Sequence, residues 1–397
     1  MLKSYRCLPF FLALLLGGFG ASAQRLSGRV LDAVTGQPVP YASISVPGAS
    51  QGTTGNAEGE FEMALKLPVR LIVSELGHRA DTLAVAVGQK QLVVRLQPAA
   101  VELPDVVPGA YTVELLKKAY RHLQRVNRPR YGQAFYRQIT RLDNEPAEVL
   151  EMVWHTKANG VGIEETAPNQ GRYAEKKALL KFKDFSLYTR AINFISQGTD
   201  STATDAILSL NPTADMTLRL IGLSTDGKRE LADIGFASKT HPEKVFGSFL
   251  IDTETYQLLR CRFVTPAFGS RTKNPLFKFK DSRTSLEWVF KPLDDGSTIL
   301  DYYKIDHQQT LERKLKPDVA VQVSAFTIFY DGQLKPTANV SYQRGKKGDG
   351  TDLQAIKALP YDAAFWQNNS VVKRTPLEDA TIKAFEQKGA FGTLLTP

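Results

Sequence analysis

Apolar and polar residues alternate in short runs along most of this chain, and glycine, proline or asparagine stands between the runs. From Ala42 to Val46, Ala42, Ile44 and Val46 fall on one side and Ser43 and Ser45 on the other. A period of two marks a strand with one buried face. Val30 to Asp32 ends a strand before it, and Phe61 opens one after it. Leu71 to Glu75, Thr82 to Val87 and Leu92 to Leu96 continue the series. The joints are Thr35-Gly36-Gln37-Pro38, a link punctuated by Gly48, Gly52 and Gly55, then Asn56-Ala57-Glu58-Gly59, and Gly77-His78. Glycine reaches positive φ without a Cβ clash and asparagine tolerates it, so both serve in turns. About seven strands joined by short turns predict a small β-sandwich over residues 24–98.

Residues 99–130 are predicted as a linker and a helix. Pro98, Pro104, Pro108 and Gly109 interrupt regular structure. Thr112 to Val126 then carries Leu116, Ala119, Tyr120 and Leu123 at helical spacing. Thr112 is placed to cap this helix, Glu114 falls in its first turn and Pro129 lies past its end. Arg121, Arg125, Arg128 and Arg130 make the far end basic. A solvated face favoured by the helix dipole accounts for them better than contact with an anionic surface.

Residues 131–397 return to alternation. They predict an antiparallel β-rich domain, with a half-barrel as one form of it, and a C-terminal helix. Strands begin at Ala134–Gln138 and Val149–Thr156. Residues 160–220 fit neither template, and the polar run Gln197 to Asp205 reads as a loop. The clearest hairpin is Val245 to Val264. Val245, Gly247, Phe249 and Ile251 lead to a turn at Thr253-Glu254-Thr255. Leu259, Cys261 and Phe263 then alternate against Arg260 and Arg262. One apolar face and one charged face are what a sheet with one solvated side requires. Strands follow at Leu286–Phe290, Thr298–Ile305 and Gln322–Tyr330, and Gly345 to Asp352 reads as a polar loop. Thr375, Pro376 and Glu378 form a capping box for the last helix, with Ala380, Ile382, Ala384 and Phe385 as contacts and Gly389 as its stop. The fold class is mainly β, a meander rather than alternating β and α units.

The run G-x-V-x-D-x-x-T-G-x-P-V-P-x-A-x-I-x-V, followed by a glycine-rich link and N-x-x-G-x-F, resembles the carboxypeptidase-regulatory-like domain, an immunoglobulin- or prealbumin-like β-sandwich. Gly28, Val30, Asp32, Thr35, Gly36, Pro38, Pro40, Ala42, Asn56, Gly59 and Phe61 carry the likeness, and Gly55-Asn56 stands where the family has Thr-Asp. The resemblance implies a non-catalytic module of Gram-negative envelope proteins, including TonB-dependent transporters. The plug and long barrel of those transporters are not read in the residues that follow. The G-x-F-x-I-D-x-x-T stretch of the hairpin is loosely similar to the half-barrel sheets of lipoprotein carriers. Ala134–Gln138 and Phe365–Glu378 look like a family of exported proteins with the same N-terminal module.

Residues 1–23 read as a signal peptide. Lys3 and Arg6 form its basic start, Phe10 to Leu16 its apolar stretch and Ala21-Ser22-Ala23 its cleavage site. The apolar stretch is shorter than the roughly 20 residues that span a bilayer. No cysteine follows it, so lipid attachment is not expected. The expected location is the periplasm or the outer membrane's surface. Removal of Lys3 and Arg6 lowers the formal net charge from +9 to +7. Removal of Cys7 leaves Cys261, which alone makes neither an intrachain disulfide nor a thiolate cluster. With 43% hydrophobic and 23% charged residues, the composition is that of a folded globular chain.

No motif for chemistry is read. His78, His122, His155, His241 and His307 stand in neither H-E-x-x-H nor the H-x-x-E of zinc carboxypeptidases, and His78 reads as a turn residue. Ser270-Arg271-Thr272-Lys273 matches S-x-x-K but lies between Gly269 and Pro275 rather than opening a helix. Glu164-Glu165 and Asp294-Asp295 are neighbours, and neighbours on a strand point to opposite faces. Asp294-Asp295-Gly296 is more simply a turn. Lysines and arginines are scattered, as at Arg271, Lys273, Lys278 and Lys280, or Arg344, Lys346 and Lys347. Export argues against nucleic acid. The expectation is a non-enzymatic envelope protein without cofactor or metal, acting in binding or assembly. Its partner would be another envelope protein, a lipid or a polysaccharide. A lipid or lipoprotein carrier and a hydrolase built from scattered acids are the alternatives.

Overall fold

The computed structural model describes residues 24–47, 52–99, 101–102, 109–126, 128–176, 185–186, 208–226, 229–270, 272, 274–314, 316–344, 352–368 and 372–391. The readings of residues 1–23, Gly48, Pro104, Pro108, Gln197 to Asp205 and residues 345–351 lie outside these residues. Among the described residues, no helix is long and apolar enough to cross a membrane.

The N-terminal strands are β1 (Gln24–Asp32), β2 (Ser43–Ser45), β3 (Gly52–Thr54), β4 (Glu60–Leu65), β5 (Val69–Ser74), β6 (Asp81–Val85) and β7 (Gln91–Leu96). They form two sheets, β4-β1-β7 and β3-β2-β5-β6. Leu26, Val30, Ile44, Phe61, Leu71, Val73 and Leu96 fill the space between them. The turns are fixed by side chains close in sequence. Asp32 accepts the N–H groups of Val34 and Thr35 at 2.8 and 2.7 Å. Asn56 accepts those of Glu58 and Glu60 at 3.0 and 2.8 Å. Gly59 sits at φ 70°, where a Cβ would lie 2.4 Å from the Val30 carbonyl oxygen. The predicted link at Gly52 contains strand β3.

The second region is one antiparallel sheet, ordered β19-β11-β10-β9-β18-β17-β16-β15-β14-β13-β12-β8 and not closed into a barrel. In chain order its strands are β8 (Val101–Glu102), β9 (Arg130–Leu142), β10 (Glu145–Asn159), β11 (Gly162–Glu175), β12 (Met216–Asp226), β13 (Arg229–Ser238), β14 (Phe246–Asp252), β15 (Leu258–Thr265), β16 (Phe277–Pro292), β17 (Thr298–Arg313), β18 (Lys316–Gln333) and β19 (Gln343–Arg344). β8 lies in the predicted linker and pairs with Leu223 and Ser224 at one edge. β11 and the start of β12 fall in the stretch whose pattern fitted no template.

Helix α1 (Gly109–Val126) begins before Thr112. Thr112 is therefore not its cap; its hydroxyl donates back to the Gly109 carbonyl at 2.9 Å. Glu114 lies past the first turn and pairs with Lys117 at 3.2 Å. The predicted face is buried: Leu116, Ala119, Tyr120 and Leu123, joined by Leu115, pack on the inner face of the sheet, in one core with Tyr136, Trp154, Phe249, Trp288 and Tyr303. Two short helices, α2 (Asp352–Ala358) and α3 (Ala363–Asn368), have no counterpart in the predictions. Helix α4 (Pro376–Gln387) has the expected capping box: Thr375 Oγ1 accepts the Glu378 N–H at 3.1 Å, and Glu378 accepts the Thr375 N–H at 2.8 Å. Its buried contacts are Thr381, Ile382 and Phe385; Ala380 and Ala384 face outward, because the helix lays only one stripe on the sheet.

The hairpin carries one correction. Leu250 pairs with Arg260 and Ile251 with Leu258, so Leu259 is the extra residue of a β-bulge. It leaves the Cys261 face and joins Leu231 and Leu250 on the outer face. That face is not solvated throughout. Arg260 is buried on it, and the sandwich and the C-terminal segment cover much of it.

Candidate functional site

Directly paired residues share a face, so the register defines a row across the outer face. It runs Arg262, Glu287, Lys304, Phe326, Arg137, Glu151, Arg172 from β15 to β11. Its last three members form a buried ion cluster. Arg137 Nε donates to Glu151 Oε1 at 2.6 Å, and Arg172 Nε to Glu151 Oε2 at 2.5 Å. Burial raises the pKa of Glu151, but Arg172 and Arg137 more than offset it and hold the carboxyl at about 2. The C-terminal segment supplies the remaining anions. Glu378 lies 3.3 Å from Arg137 and Glu386 3.1 Å from Arg172. The Arg172 guanidinium lies 4.6 Å from the ring centre of Trp366 and 4.7 Å from that of Phe391. The cluster fastens the segment after residue 360 to the sheet.

The sandwich meets the same face beside that segment. Tyr41, at φ 56°, packs its ring 5.2 Å from Tyr302 and under Lys304. Thr54 bridges to Val372, and Asn56 donates to the Arg374 carbonyl at 3.3 Å. A cleft of about 620 Å³ opens between the two, with Arg25, Glu60 and Glu62 on the sandwich wall and Lys373, Arg374, Asp379 and Glu386 opposite. Trp366, itself buried, borders it. Three ion pairs line it: Arg25–Glu62 at 3.0 Å, Lys373–Glu60 at 3.1 Å and Arg374–Asp379 at 3.4 Å. Their lysine, aspartate and glutamate side chains are one-fifth to one-third exposed. This cleft is the candidate site.

None of its residues was singled out for chemistry in the sequence. The available signal was Glu151, a charge inside the apolar run Val149–Trp154. The residues that were weighed lie elsewhere. His122 meets the Gly296 carbonyl at 2.9 Å, and His307 is buried with Nδ1 2.8 Å from Thr284 Oγ1. His155 is on β10, and His241 is in the turn before β14. His78 is more than a turn residue: its ring contacts both Asp32 and Glu75. Ser270 is in a loop and is held through its N–H and Oγ by Gln309, at 2.9 Å each. Arg271 and Lys273 are outside the described residues. Asp295 turns the chain, accepting from Ser297, and with Arg130 at 2.6 Å these bonds hold its carboxyl below the usual range. Glu164 and Glu165 do not diverge. Lys157 pairs with Glu165 and Ala158 with Ile163, so Glu164 is a bulge residue and both carboxylates reach Lys157 at 3.3 Å. Cys261 is buried on the inner face, and burial pushes its thiol pKa well up. Among the described residues, no three or more His, Cys, Asp or Glu side chains are grouped to hold a metal ion.

No curated protein matches the chain in sequence. Solved structures similar to part of it include the two that follow. A DUF1329 family protein from Desulfovibrio piger ATCC 29098 is 9% identical, with 57% of this chain and 94% of that chain covered and a TM-score of 0.23. A LolA superfamily protein from Nitrosomonas europaea is 9% identical, with 59% and 96% covered and a TM-score of 0.22. The family model of the CarboxypepD_reg-like domain matches residues 26–107. The N-terminal sandwich, with the turn chemistry of Asp32, Asn56 and Gly59, is a CarboxypepD_reg-like domain.

Proposed function

We propose that the protein is exported to the cell envelope, periplasmic or associated with the outer membrane, and acts by contact rather than turnover. Its site is the cleft between the sandwich and the C-terminal segment, and its partner is another envelope protein. Export rests on the pattern of residues 1–23 and on the company this domain family keeps. The contact reading rests on the walls of the cleft: three partly exposed ion pairs beside a buried tryptophan. Partly exposed charged groups of both signs are what the polar rim of a protein interface presents, and Trp366 gives them a rigid base. An acyl chain calls for an apolar pocket, and α1 occupies the apolar inner face of the sheet. A hydrolase calls for a carboxylate that is able to exchange a proton. Each carboxylate on the cleft walls is engaged by a cation: Glu60, Glu62, Asp379, and Glu386 by Arg172.

A photo-crosslinking residue at Glu62, in the chain expressed in its own envelope, tests this reading. The expected adduct is a discrete protein, weakened by Arg374→Glu and missing when the crosslinker replaces exposed Val87. A lipid or glycan adduct at Glu62 would replace the partner class. The same adducts from Val87 would remove the cleft from the proposal. Hydrolysis of peptide, ester or glycoside substrates that co-purifies with the chain, and is lost with one acid or histidine, would overturn contact as the mode of action.

A further inference from the structure

The loop from Glu75 to His78 joins two strands of the sandwich, yet its tip reaches the large sheet. Leu76 packs against Leu231, Leu250 and Leu259, and also against the aromatic cluster around Tyr302. Both ring nitrogens of His78 face carboxylates. Nδ1 is 2.6 Å from Glu75 Oε2, and Nε2 is 3.0 Å from Asp32 Oδ2. A neutral imidazole has one N–H and one lone pair. It would turn that lone pair toward one of the two carboxylates. The imidazolium donates to both. Glu75 Oε2 also accepts the Gly77 N–H at 2.7 Å, so the oxygen that holds His78 also shapes the turn presenting Leu76. Asp32 is itself fixed by the Val34 and Thr35 N–H groups.

We propose that His78 is a pH-operated latch, whose imidazolium holds the Leu76 loop against the large sheet and whose deprotonation releases the loop and slackens the seam between sandwich and sheet. The latch does not depend on what the cleft binds. The hydrogen bond to Glu75 raises the pKa of His78; burial opposes the rise and Asp32 adds to it. The charged and titratable groups around the ring and its partner Glu75 come from several elements. Asp32 at the end of β1 and Glu75 in the loop face the ring itself, and Arg79 is next in the chain; Glu75 in turn faces Arg260 on β15, which pairs with Asp233 of β13 at 3.3 Å, and Tyr302 on β17. Arginine keeps its charge throughout. Burial pushes Tyr302 well up, so it stays neutral over the same range. Because the folded pKa of His78 is raised, the stabilisation is complete below the unfolded value of about 6.5. It is lost as pH rises through the folded value. Above that, the neutral ring keeps a single N–H, so it no longer donates to Glu75 and Asp32 together and the tie between the loop and the end of β1 is broken.

Hydrogen exchange of the full chain, corrected for intrinsic rates, reads the latch directly. Between pH 6 and pH 9, peptides covering residues 71–80 and 250–261 should lose protection by roughly tenfold, the scale of one charge-assisted hydrogen bond. A peptide across β9 and β10 should not change. His78→Gln should show the loosened state at both pH values. Glu75→Gln should move the midpoint to lower pH, which loss of a merely structural bond would not do. Equal protection at both pH values, an unchanged pH response in His78→Gln, or loss spread evenly over β9 and β10 would each overturn the proposal. If His78→Gln does not fold, the midpoint of Glu75→Gln decides.

Discussion

The sandwich and the large sheet hold their strands in register by different means. In the sandwich the bonds that fix the turns run between residues two to four apart, from Asp32 to Val34 and Thr35 and from Asn56 to Glu58 and Glu60. In the large sheet, strands reach 18 residues and register is fixed across them. The Arg137–Glu151–Arg172 cluster ties three strands to one another, and Glu378 and Glu386 tie a helix to those. The first mechanism is local and marks the sequence with glycine, asparagine and aspartate. The second is assembled from residues far apart and leaves only isolated charges in apolar runs. The comparison implies that the two regions fail separately: turn changes should loosen the sandwich, and charge changes should loosen the sheet.

The largest expected effect is in the sheet. Glu151→Gln removes the anion between two buried guanidinium groups and leaves each with only its more exposed partner, Glu378 or Glu386. Breaking a buried pair in this way costs about 3–5 kcal/mol. Urea unfolding of the full chain should show a loss of that size, with exchange protection in the sandwich unchanged. A pH titration sharpens the assignment. The Glu151 carboxyl is depressed from 4.5 to about 2 in the folded chain. Its stabilisation is therefore present above about pH 4.5 and lost as pH falls toward 2. The parent should lose stability across that window, and Glu151→Gln should lose less. Equal acid sensitivity in both would detach the cluster from the stability of the sheet.

The sandwich breaks at Gly59. Alanine there must hold φ 70° with its Cβ 2.4 Å from the Val30 carbonyl oxygen. Strain of this kind costs about 1–3 kcal/mol. Gly59→Ala should lower protection in β1 and β4 and leave β9 to β11 as they were. Loss of protection in both regions would make them one cooperative unit and erase the contrast.

The same contrast explains what was legible in the sequence. The sandwich could be read almost strand by strand, because Asp32, Asn56 and Gly59 act on their near neighbours. Alternation also marked most strands of the large sheet, and α4 was announced by Thr375, Pro376 and Glu378. Which face a residue takes was less secure, since one inserted residue reverses it. Leu259 and Glu164 are the two cases, and both sit at bulges that periodicity does not register. The start of α1 was misplaced because Thr112, a favoured cap residue, satisfies its hydroxyl inside the first turn. The cleft was not legible at all. Glu62 lies some 300 residues along the chain from Trp366 and Arg374, and they meet only because the sandwich and the C-terminal segment share one face of the sheet.

A smaller effect belongs to a place in the C-terminal segment where local and long-range bonds share a residue. Glu378 accepts the Thr375 N–H within the capping box and also neutralises Arg137. Thr375→Ala removes the side-chain half of the box and leaves the ion pair. Loss of such a cap costs about 1 kcal/mol. Exchange should rise at the start of α4 while β9 and β10 keep their protection. If protection falls along β10 as well, the cap also positions Glu378 on Arg137.

The smallest expected effect is a null result at Cys261, and it tests register in the large sheet. Cys261 pairs with Phe249 on one side and Trp288 on the other. All three side chains are buried in the inner core. Burial pushes the thiol pKa well above its ordinary value, so the reactive thiolate is scarce as well as shielded. Native protein at neutral pH should therefore resist a thiol reagent, and urea-unfolded protein should react at the rate of a free cysteine. Slow labelling that tracks the opening of β14 and β15 would keep the register and measure their local stability. Labelling of native protein as fast as that of unfolded protein would put Cys261 on the outer face. The Leu259 bulge would then lie on the wrong side of it, and alternation in this hairpin would run unbroken from the turn.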